Sequence, residues 1–404
     1  MKQFWFSFNP DTFIWIKNNN GLIYDCSDFK SYEFILNSSI RKLTDRLLDP
    51  GNLYFLEVSE MELRNEELET WFKDLIKLRI ATLTLINNKN VKPVSFCPKL
   101  KVQRDKGTII HENEKGTGGK IIEYLHELTF YINGSNQASE VLFKQIEFPI
   151  FSDHWIKFSS IMSLIDSCRN GMLNKITFIG DFSNYPDYET LFNNIPRLGF
   201  PVSLLTLAED FLTRPESLIS LQNEHITISI VVNNFSIIHE VQNRIGEQLS
   251  KINWIFLVFS EEEYCLINER IDEYDLKFYE IIPIYNQNNL KFFKDNIYLS
   301  KNDLSDSKLS KREIFAKMTL NTNFFGKLYI MPDGSVYSNL NFPRIGTLDS
   351  TIYDILFKEF TEGKSWLSIR DTEPCSHCVY QWLCPSPSNY ELAIGKPNLC
   401  HVMP

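Results

Sequence analysis

Six short apolar segments between residues 126 and 300 alternate with segments of helical periodicity, and this alternation restricts the possible folds more than any other feature. The apolar segments lie at residues 128–132, 176–180, 202–207, 226–232, 254–259 and 278–284. Nearly continuous apolar strands that are joined by helices form a parallel sheet with right-handed crossovers. Because the complete barrel of this kind needs eight units, six units predict an α/β fold with a partial (β/α)6 TIM-like barrel.

The predicted crossover helices have apolar residues at helical spacing. They lie at residues 155–168, 188–195, 216–222, 237–249 and 262–271. Folds of this class bind ligands at the carboxyl ends of their strands. Five acidic residues near those ends are candidate general acids or bases, although such carboxylates are more often solvated or capping groups: Asp181, Glu209, Asp210, Glu261 and Glu280.

Residues 1–90 show a different pattern, in which short strands are followed by two helices. An asparagine-rich turn before Gly21 separates two strand-like segments, which is a hairpin signal. The predicted strands lie at 13–17, 21–25 and 53–58, and the predicted helices lie at 39–48 and 66–79. This order predicts a small winged-helix-like domain.

The remaining boundaries follow from composition and turn residues. Residues 91–125 are polar and contain glycine, which predicts a linker or insert before a barrel domain at 126–305. In the last segment, 306–404, Asp333-Gly334 lies between two alternating strands and predicts a hairpin. A helix is expected at 352–360, before a cluster of cysteines.

Four of the eight cysteines lie in the last 30 residues, in the order Cys375, Cys378, Cys384 and Cys400. Four thiolates can complete a tetrahedral zinc site or hold a cubane iron–sulfur cluster, and the spacing alone leaves both open. Since four cysteines already fill four positions, we expect the neighbouring His377 and His401 to be bystanders.

Charge and hydropathy exclude some function classes. The chain has 51 acidic and 41 basic residues, a net charge of −10, so a broad nucleic-acid-binding surface is not expected. No window reaches the 18 or so uninterrupted apolar residues of a membrane span. The N-terminus lacks the features of a signal peptide, and the other cysteines are isolated, so we expect a cytoplasmic protein.

The C-terminal segment resembles the SPASM region of radical S-adenosylmethionine (SAM) peptide-modifying enzymes. The resemblance rests on Asp333-Gly334 followed by Val336-Tyr337, on Ile345-Gly346, and on the Cys-x2-Cys-x5-Cys spacing. It implies that Cys375, Cys378, Cys384 and Cys400 hold one auxiliary 4Fe–4S cluster, and it favours this cluster over zinc. The positions of a second auxiliary cluster carry Asn339 and Ser388, and no cysteine occurs at 323–326, so that site is lost.

The same resemblance implies a Cys-x3-Cys-x2-Cys motif directly after the first barrel strand. At that spacing the chain has Ser135, Ser139 and Leu142, and the motif occurs nowhere else in the sequence. Leucine cannot bind iron, and neutral serine hydroxyls are poor replacements for thiolates. The second strand ends in Gly180-Asp181, a partial remnant of the Gly-Gly-Glu that binds the methionine amine of SAM. Productive SAM binding is therefore not expected.

The whole chain resembles the pseudo-radical-SAM/SPASM proteins of Bacteroidales-type GG-leader peptide maturation systems, most specifically over residues 384–391 and 394–401. The resemblance implies a catalytically inactive protein that binds the precursor (leader) peptide, an active radical SAM maturase, or both, in a hetero-oligomer. Residues 1–90 resemble more weakly the winged-helix element that binds leader peptides by strand addition. Two alternatives stay open: an iron–sulfur electron relay or repurposed enzyme acting on peptides, and a zinc-stabilised interaction scaffold.

Overall fold

The computed structural model describes residues 2–52, 55–87, 111, 119–135 and 139–402, so most of the predicted insert at 91–125 lies outside the described residues. The described strands are β1 Gln3–Phe8, β2 Thr12–Lys17, β3 Asn20–Asp25, β4 Lys30–Ile35, β5 Phe55–Ser59, β6 Ala81–Leu85, β7 Glu127–Tyr131, β8 Lys175–Ile179, β9 Val202–Leu207, β10 Ile226–Val232, β11 Asn253–Val258, β12 Phe278–Pro283, β13 Lys327–Ile330, β14 Ser335–Tyr337 and β15 Gly346–Thr347.

The described α-helices are α1 Ser38–Leu48, α2 Glu60–Leu63, α3 Glu66–Lys77, α4 Glu140–Ile146, α5 Phe158–Ser167, α6 Tyr188–Asn194, α7 Ala208–Phe211, α8 Pro215–Ile219, α9 Ile237–Ile245, α10 Glu261–Glu273, α11 Leu290–Asn296, α12 Lys301–Ser305, α13 Lys311–Lys317, α14 Ile352–Glu362 and α15 Asn389–Ile394. Short 3-10 helices are Pro50–Asn52, Gly119–Tyr124, Ile195–Arg197, Gly246–Lys251 and Cys375–His377. Among the described helices, none combines the length and apolar character that a bilayer span requires.

A large mixed sheet forms the centre of the molecule, in the order β12-β11-β10-β9-β8-β7-β13-β14-β15. The six strands from β7 to β12 are all parallel and lie in chain order, which confirms the predicted parallel sheet. One face of this sheet packs against the crossover helices and forms the largest apolar core, which contains Leu128, Phe178 and Trp254.

The predicted crossover helices are present with shifted ends. The helix predicted at 237–249 ends at Ile245, and a 3-10 helix continues from Gly246. Gly246 has a φ of 55° and a ψ of −128°, a conformation that glycine adopts without steric cost and that departs from the α-helix. The helix predicted at 155–168 begins only at Phe158, because the backbone before it pairs with the residues directly after β7: Trp155 forms a bridge with Asn133, and the Ile156 N–H donates to the Ile132 carbonyl at 3.0 Å.

The C-terminal segment is part of the central sheet, which the sequence patterns did not predict. The predicted hairpin at Asp333-Gly334 is present, with β13 antiparallel to β14. β13 also pairs in parallel with β7, from Lys327 opposite Glu127 to Ile330 opposite Phe130. The six parallel strands and the segment that follows them therefore share one hydrogen-bonded sheet.

The N-terminal residues form two antiparallel three-stranded sheets, β5-β1-β6 and β2-β3-β4. The predicted β2–β3 hairpin is present, and both predicted helices are present as α1 and α3. Strands β1, β4 and β6 were not predicted. The helices and both sheets share an apolar core that contains Phe6, Ile23, Phe34 and Trp71. The winged-helix assignment of this domain stays a prediction.

Candidate metal site and carboxyl ends of the barrel strands

The four clustered cysteines line one small cavity of about 20 Å³. Cys375 begins a 3-10 turn, and the Cys378 backbone N–H donates to the Cys375 carbonyl at 3.0 Å, which places both side chains on one tight loop. The Cys384 N–H donates to the Tyr380 carbonyl at 3.1 Å and turns the chain back towards the same cavity. Local hydrogen bonds therefore bring the first three thiols together.

Cys400 reaches the cavity through a short backbone bridge to a distant segment. The Leu299 N–H donates to the Leu399 carbonyl at 3.0 Å, and the His401 N–H donates to the Leu299 carbonyl at 3.0 Å. These two bonds form an isolated parallel bridge that fixes the residues on both sides of Cys400. The long gap between Cys384 and Cys400 is thus closed by tertiary structure.

Burial is the main electrostatic influence on these thiols. It raises the pKa of Cys375, where the Arg370 guanidinium partly opposes it, and it raises the pKa of Cys378. Burial raises the pKa of Cys384 to about 12. Thiolate ligation by a metal therefore has to release protons that the buried thiols hold firmly.

Two basic side chains lie beside the cysteines: Arg370 is buried and Lys317 is partly buried. Arg370 is 8% exposed, pairs with Glu391, and places one guanidinium nitrogen 4.0 Å from the Cys375 sulfur. Lys317 donates to the Leu383 carbonyl at 3.0 Å, and burial lowers its pKa to about 8. Positive charge at this distance stabilises thiolates, and hydrogen bonds to ligand sulfurs tune a bound metal centre.

The donor set can be tested against the two candidate metals. Four thiols around one cavity are the ligand set of both a structural zinc ion and a 4Fe–4S cluster. Within the described ranges, however, no group of three or more His, Cys, Asp or Glu side chains is placed to hold a single metal ion. Neither His377 nor His401 lines the cavity: His377 lies 3.3 Å from Glu373, and His401 contacts the Lys294 carbonyl at 2.8 Å.

Ser135, Ser139 and Leu142, the three residues at the spacing expected for SAM-cluster cysteines, follow the carboxyl end of β7. The Ser135 N–H donates to the Ile150 carbonyl at 2.9 Å, and Ser139 precedes α4 without a side-chain capping bond. Leu142 is 8% exposed and belongs to an apolar core. Residues 136–138 of this stretch lie outside the described residues.

That apolar core covers the sheet face opposite the crossover helices, near the carboxyl ends of the strands. Five adjacent parallel strands contribute to it: Tyr131, Ile179, Leu207, Val231 and Leu257. Leu142, Phe148 and Ile150 pack onto these side chains from α4 and the following segment. This core therefore fills the inner face of the sheet directly beside the strand ends, where folds of this class bind ligands.

Asp181, at the end of β8, organises its own loop. Its carboxylate accepts hydrogen bonds from the Ser183 N–H at 2.9 Å and the Asn184 N–H at 3.3 Å. Asn133 bonds to the Asp181 backbone in both directions, and a Cβ at Gly180 would lie 2.3 Å from the Asn133 oxygen. Asp181 thus has the capping role that was the commoner expectation for these carboxylates.

Asp210 is the strand-end carboxylate with the most altered chemistry. Burial, and then the charges of Asp181 and Glu209, raise its pKa to about 7. One oxygen of Asp210 and one of Glu209 are buried and have no hydrogen-bond partner among the described residues. Glu261 and Glu280 are exposed to solvent and do not join this group.

A buried polar network near α15 was missed by the sequence patterns. Glu147 is buried and accepts a hydrogen bond from the Asn389 amide at 3.1 Å, and Asn389 accepts one from Asn339 at 2.8 Å. Burial raises the pKa of Glu147. The Asn323 amide donates to the Pro387 carbonyl at 3.1 Å, so the segments assigned to the lost auxiliary cluster do meet, through amide hydrogen bonds. No local motif marks Glu147 or Asn389, because their burial depends on distant contacts.

Comparison with known proteins yields similar structures but no family. No protein-family model matches the chain, and no curated protein matches it. Streptococcus suis SuiB bound to precursor peptide SuiA has a TM-score of 0.47 and 10% identity, covering 99% of this chain and 98% of SuiB. SuiB bound to S-adenosylmethionine has a TM-score of 0.46 and 10% identity, covering 97% of each chain.

A further similar structure is that of anSMEcpe, carrying a hexahistidine tag, with bound AdoMet. Its TM-score is 0.41 and its identity is 14%, and the match covers 67% of this chain and 95% of that one. With scores and identities this low, the likeness by itself establishes neither a shared fold nor a shared activity for this chain.

Proposed function

We propose that this protein is a catalytically inactive relative of the radical SAM maturases that assists the maturation of a ribosomal peptide in the cytoplasm. In this proposal residues 1–90 recognise the leader peptide, 126–305 form a degenerate barrel, and 306–404 form a SPASM-like metal domain. The observation that carries it is the burial of Leu142 in an apolar core that covers the carboxyl ends of five strands. Leucine offers no ligand atom to iron, so the cluster that an active site of this type needs has no complete ligand set at these positions.

We also propose one 4Fe–4S cluster on Cys375, Cys378, Cys384 and Cys400, with zinc as the alternative. Three observations support a bound group: the shared cavity, the burial of the thiols, and the nearby cations Arg370 and Lys317. The Cys-x2-Cys-x5-Cys spacing, which resembles that of SPASM regions, favours a cluster over zinc. Such a group would stabilise the irregular cysteine segment.

The edge of β4 is the proposed binding site for the leader peptide. β4 is an outer strand of its sheet, and the Leu36 N–H donates inward to the Asn19 carbonyl at 2.8 Å. In an antiparallel strand, the backbone N–H and C=O groups of successive residues point alternately towards the paired strand and away from it. Since those of Leu36 point to β3, the backbone groups of Ser31, Glu33 and Ile35 point to the free edge of β4. A peptide strand that pairs with this edge would gain main-chain hydrogen bonds.

Ile35→Pro tests this site, because Ile35 is 75% exposed and proline removes only an outward N–H. We expect Ile35→Pro to reduce binding of the leader peptide encoded beside the gene at least about tenfold, since edge pairing rests on such bonds. Ile35→Ala keeps the N–H and is the matched control, with little expected change in affinity. Equal binding by all three proteins in a fluorescence-anisotropy titration would exclude the β4 edge.

A further inference from the structure

The sheet β2-β3-β4 packs directly on the cysteine segment. Alternating side chains direct Ile14, Ile23 and Phe34 to the helices of the N-terminal domain. The opposite face carries Trp15, Leu22 and Tyr24, and these share one buried core with Cys378, Tyr380 and Leu383. Cys378, a proposed cluster ligand, therefore packs in the same core as the β2-β3-β4 sheet. The edge of that sheet, β4, is the proposed peptide site.

Polar and aromatic contacts fix the same interface. The Tyr24 hydroxyl donates to the Ser307 carbonyl at 2.7 Å and accepts from the Leu309 N–H at 2.8 Å. The Phe13 and Phe315 rings lie edge to face with centroids 5.1 Å apart. The sheet is therefore held by a segment that itself packs against the cysteine loop.

β4 itself reaches this region through Glu33, one of the residues on its free edge. The Glu33 carboxylate pairs with Lys301 at 2.5 Å, and Lys301 begins the short helix α12. Glu33 lies opposite Leu22 in the sheet, and Leu22 shares a buried core with Tyr380, two positions after Cys378. The edge strand is thus joined to the cysteine loop through Leu22 and the helix that Lys301 begins.

The cysteine segment has little regular structure of its own. Between α14 and α15 the only regular element in the described chain is the 3-10 turn Cys375–His377. A loop that buries several thiols and lacks a helix or strand depends on its metal for a fixed conformation. The surface that it offers to Trp15, Leu22 and Tyr24 depends on the metal for the same reason.

We propose that occupancy of the four-cysteine site controls the position of the β2-β3-β4 sheet, and through it the peptide-binding edge of β4. This inference rests on the proposed function and names its regulation. A protein with a filled site presents a fixed β4 edge, whereas loss of the metal or cluster loosens the sheet and weakens peptide binding. Peptide recognition would then respond to the metal supply or redox state of the cell.

Hydrogen exchange tests the proposal on the full-length protein without any peptide. Anaerobically purified protein is compared with the same protein after chelation and after reloading with iron and sulfide or with Zn²⁺. We expect chelation to speed exchange of the β3 and β4 amides on the order of tenfold, because the sheet opens locally more often without the metal. Reloading should restore the slower exchange. β10, in the central sheet, should keep its protection.

A second variant covers the case in which chelation unfolds the whole chain. Tyr24→Phe removes only the hydroxyl that bonds to Ser307 and Leu309, so it should retain metal while β4 exchange rises. The proposal would be overturned if β4 exchange were unchanged both in the chelated protein and in Tyr24→Phe that retains its metal. It would also be overturned if the purified protein contained neither iron nor zinc. A failure of Ile35→Pro to weaken binding would instead reject the peptide site alone.

Discussion

Asp210 follows β9 directly and keeps one carboxylate oxygen buried without a partner among the described residues. Its folded-state pKa of about 7 exceeds the ordinary value of 3.8, so the folded state binds a proton that the unfolded chain has released. Stability must therefore fall as the pH rises through this window, and the contribution is complete only below the unfolded pKa. An asparagine at position 210 does not ionise, so it avoids this loss of stability as the pH rises.

We expect Asp210→Asn to raise the free energy of unfolding at pH 8 and to flatten its decline between about pH 4 and pH 7. The full pKa difference corresponds to about 4 kcal/mol, and solvent access to part of the carboxyl reduces the effect to roughly 1–2 kcal/mol. Urea unfolding at several pH values measures it. The exposed Glu224→Gln should show no such change, and an equal pH slope in Asp210→Asn and the natural protein would reject the argument.

At the residue scale, spacing predicted which cysteines meet but not what surrounds them. Cys-x2-Cys is a local signal, and the structure does bring all four thiols to one cavity. No motif marks Arg370 or Lys317, because tertiary contacts with Glu391 and Leu383 place them beside the thiols. The role of the cysteines as metal ligands stays a prediction.

Among the elements, β13 has the largest effect on organisation, since it makes the C-terminal segment a continuation of the barrel sheet. Its pairing with β7 joins residues 200 positions apart, from Lys327 to Glu127. Sequence periodicity identified the hairpin of β13 and β14, which is local. It could not identify the parallel neighbour, because either edge of the predicted sheet was equally available.

Leu328→Ala tests whether the two segments unfold together. Leu328 is fully buried on β13, so we expect a loss of about 2–5 kcal/mol in the free energy of unfolding. Because β13 belongs to the barrel sheet, calorimetry should show the transition of the barrel shifting to lower temperature. Leu392→Ala, at a position that is 48% exposed, is the control with little expected effect. If the C-terminal segment unfolded in a separate transition at lower temperature, and the transition of the six parallel strands kept its temperature, the two segments would not unfold together.

On the scale of the whole molecule, the fold class followed from the sequence, because six strand–helix units repeat one local pattern and each was found near its predicted position. The packing of the N-terminal sheet on the cysteine segment did not follow. Trp15 and Cys378 lie in one core only because distant elements converge there. A hydrophobic pattern fixes which face of a strand is buried, not which partner buries it.

The apolar core on the sheet face opposite the crossover helices leads to a prediction for the intact protein. Metal-loaded protein incubated with S-adenosylmethionine and a strong reductant should form no 5′-deoxyadenosine, because buried apolar side chains cover the strand ends and Leu142 offers no ligand. An active radical SAM maturase in the same assay is the positive control. Formation of 5′-deoxyadenosine above the reductant-only background would show that the protein is an active enzyme.

The contact between the first sheet and the last cysteines also has a consequence during protein synthesis. Trp15, Leu22 and Tyr24 leave the ribosome early, whereas their partners Cys378 and Leu383 follow more than 350 residues later. At a synthesis rate of about 5–20 residues per second, this apolar face stays exposed for roughly 20–75 s before its packing partners are synthesised. A nascent chain with such an interval is a natural client for chaperones, and the proposed four-cysteine site is complete only after Cys400 has emerged.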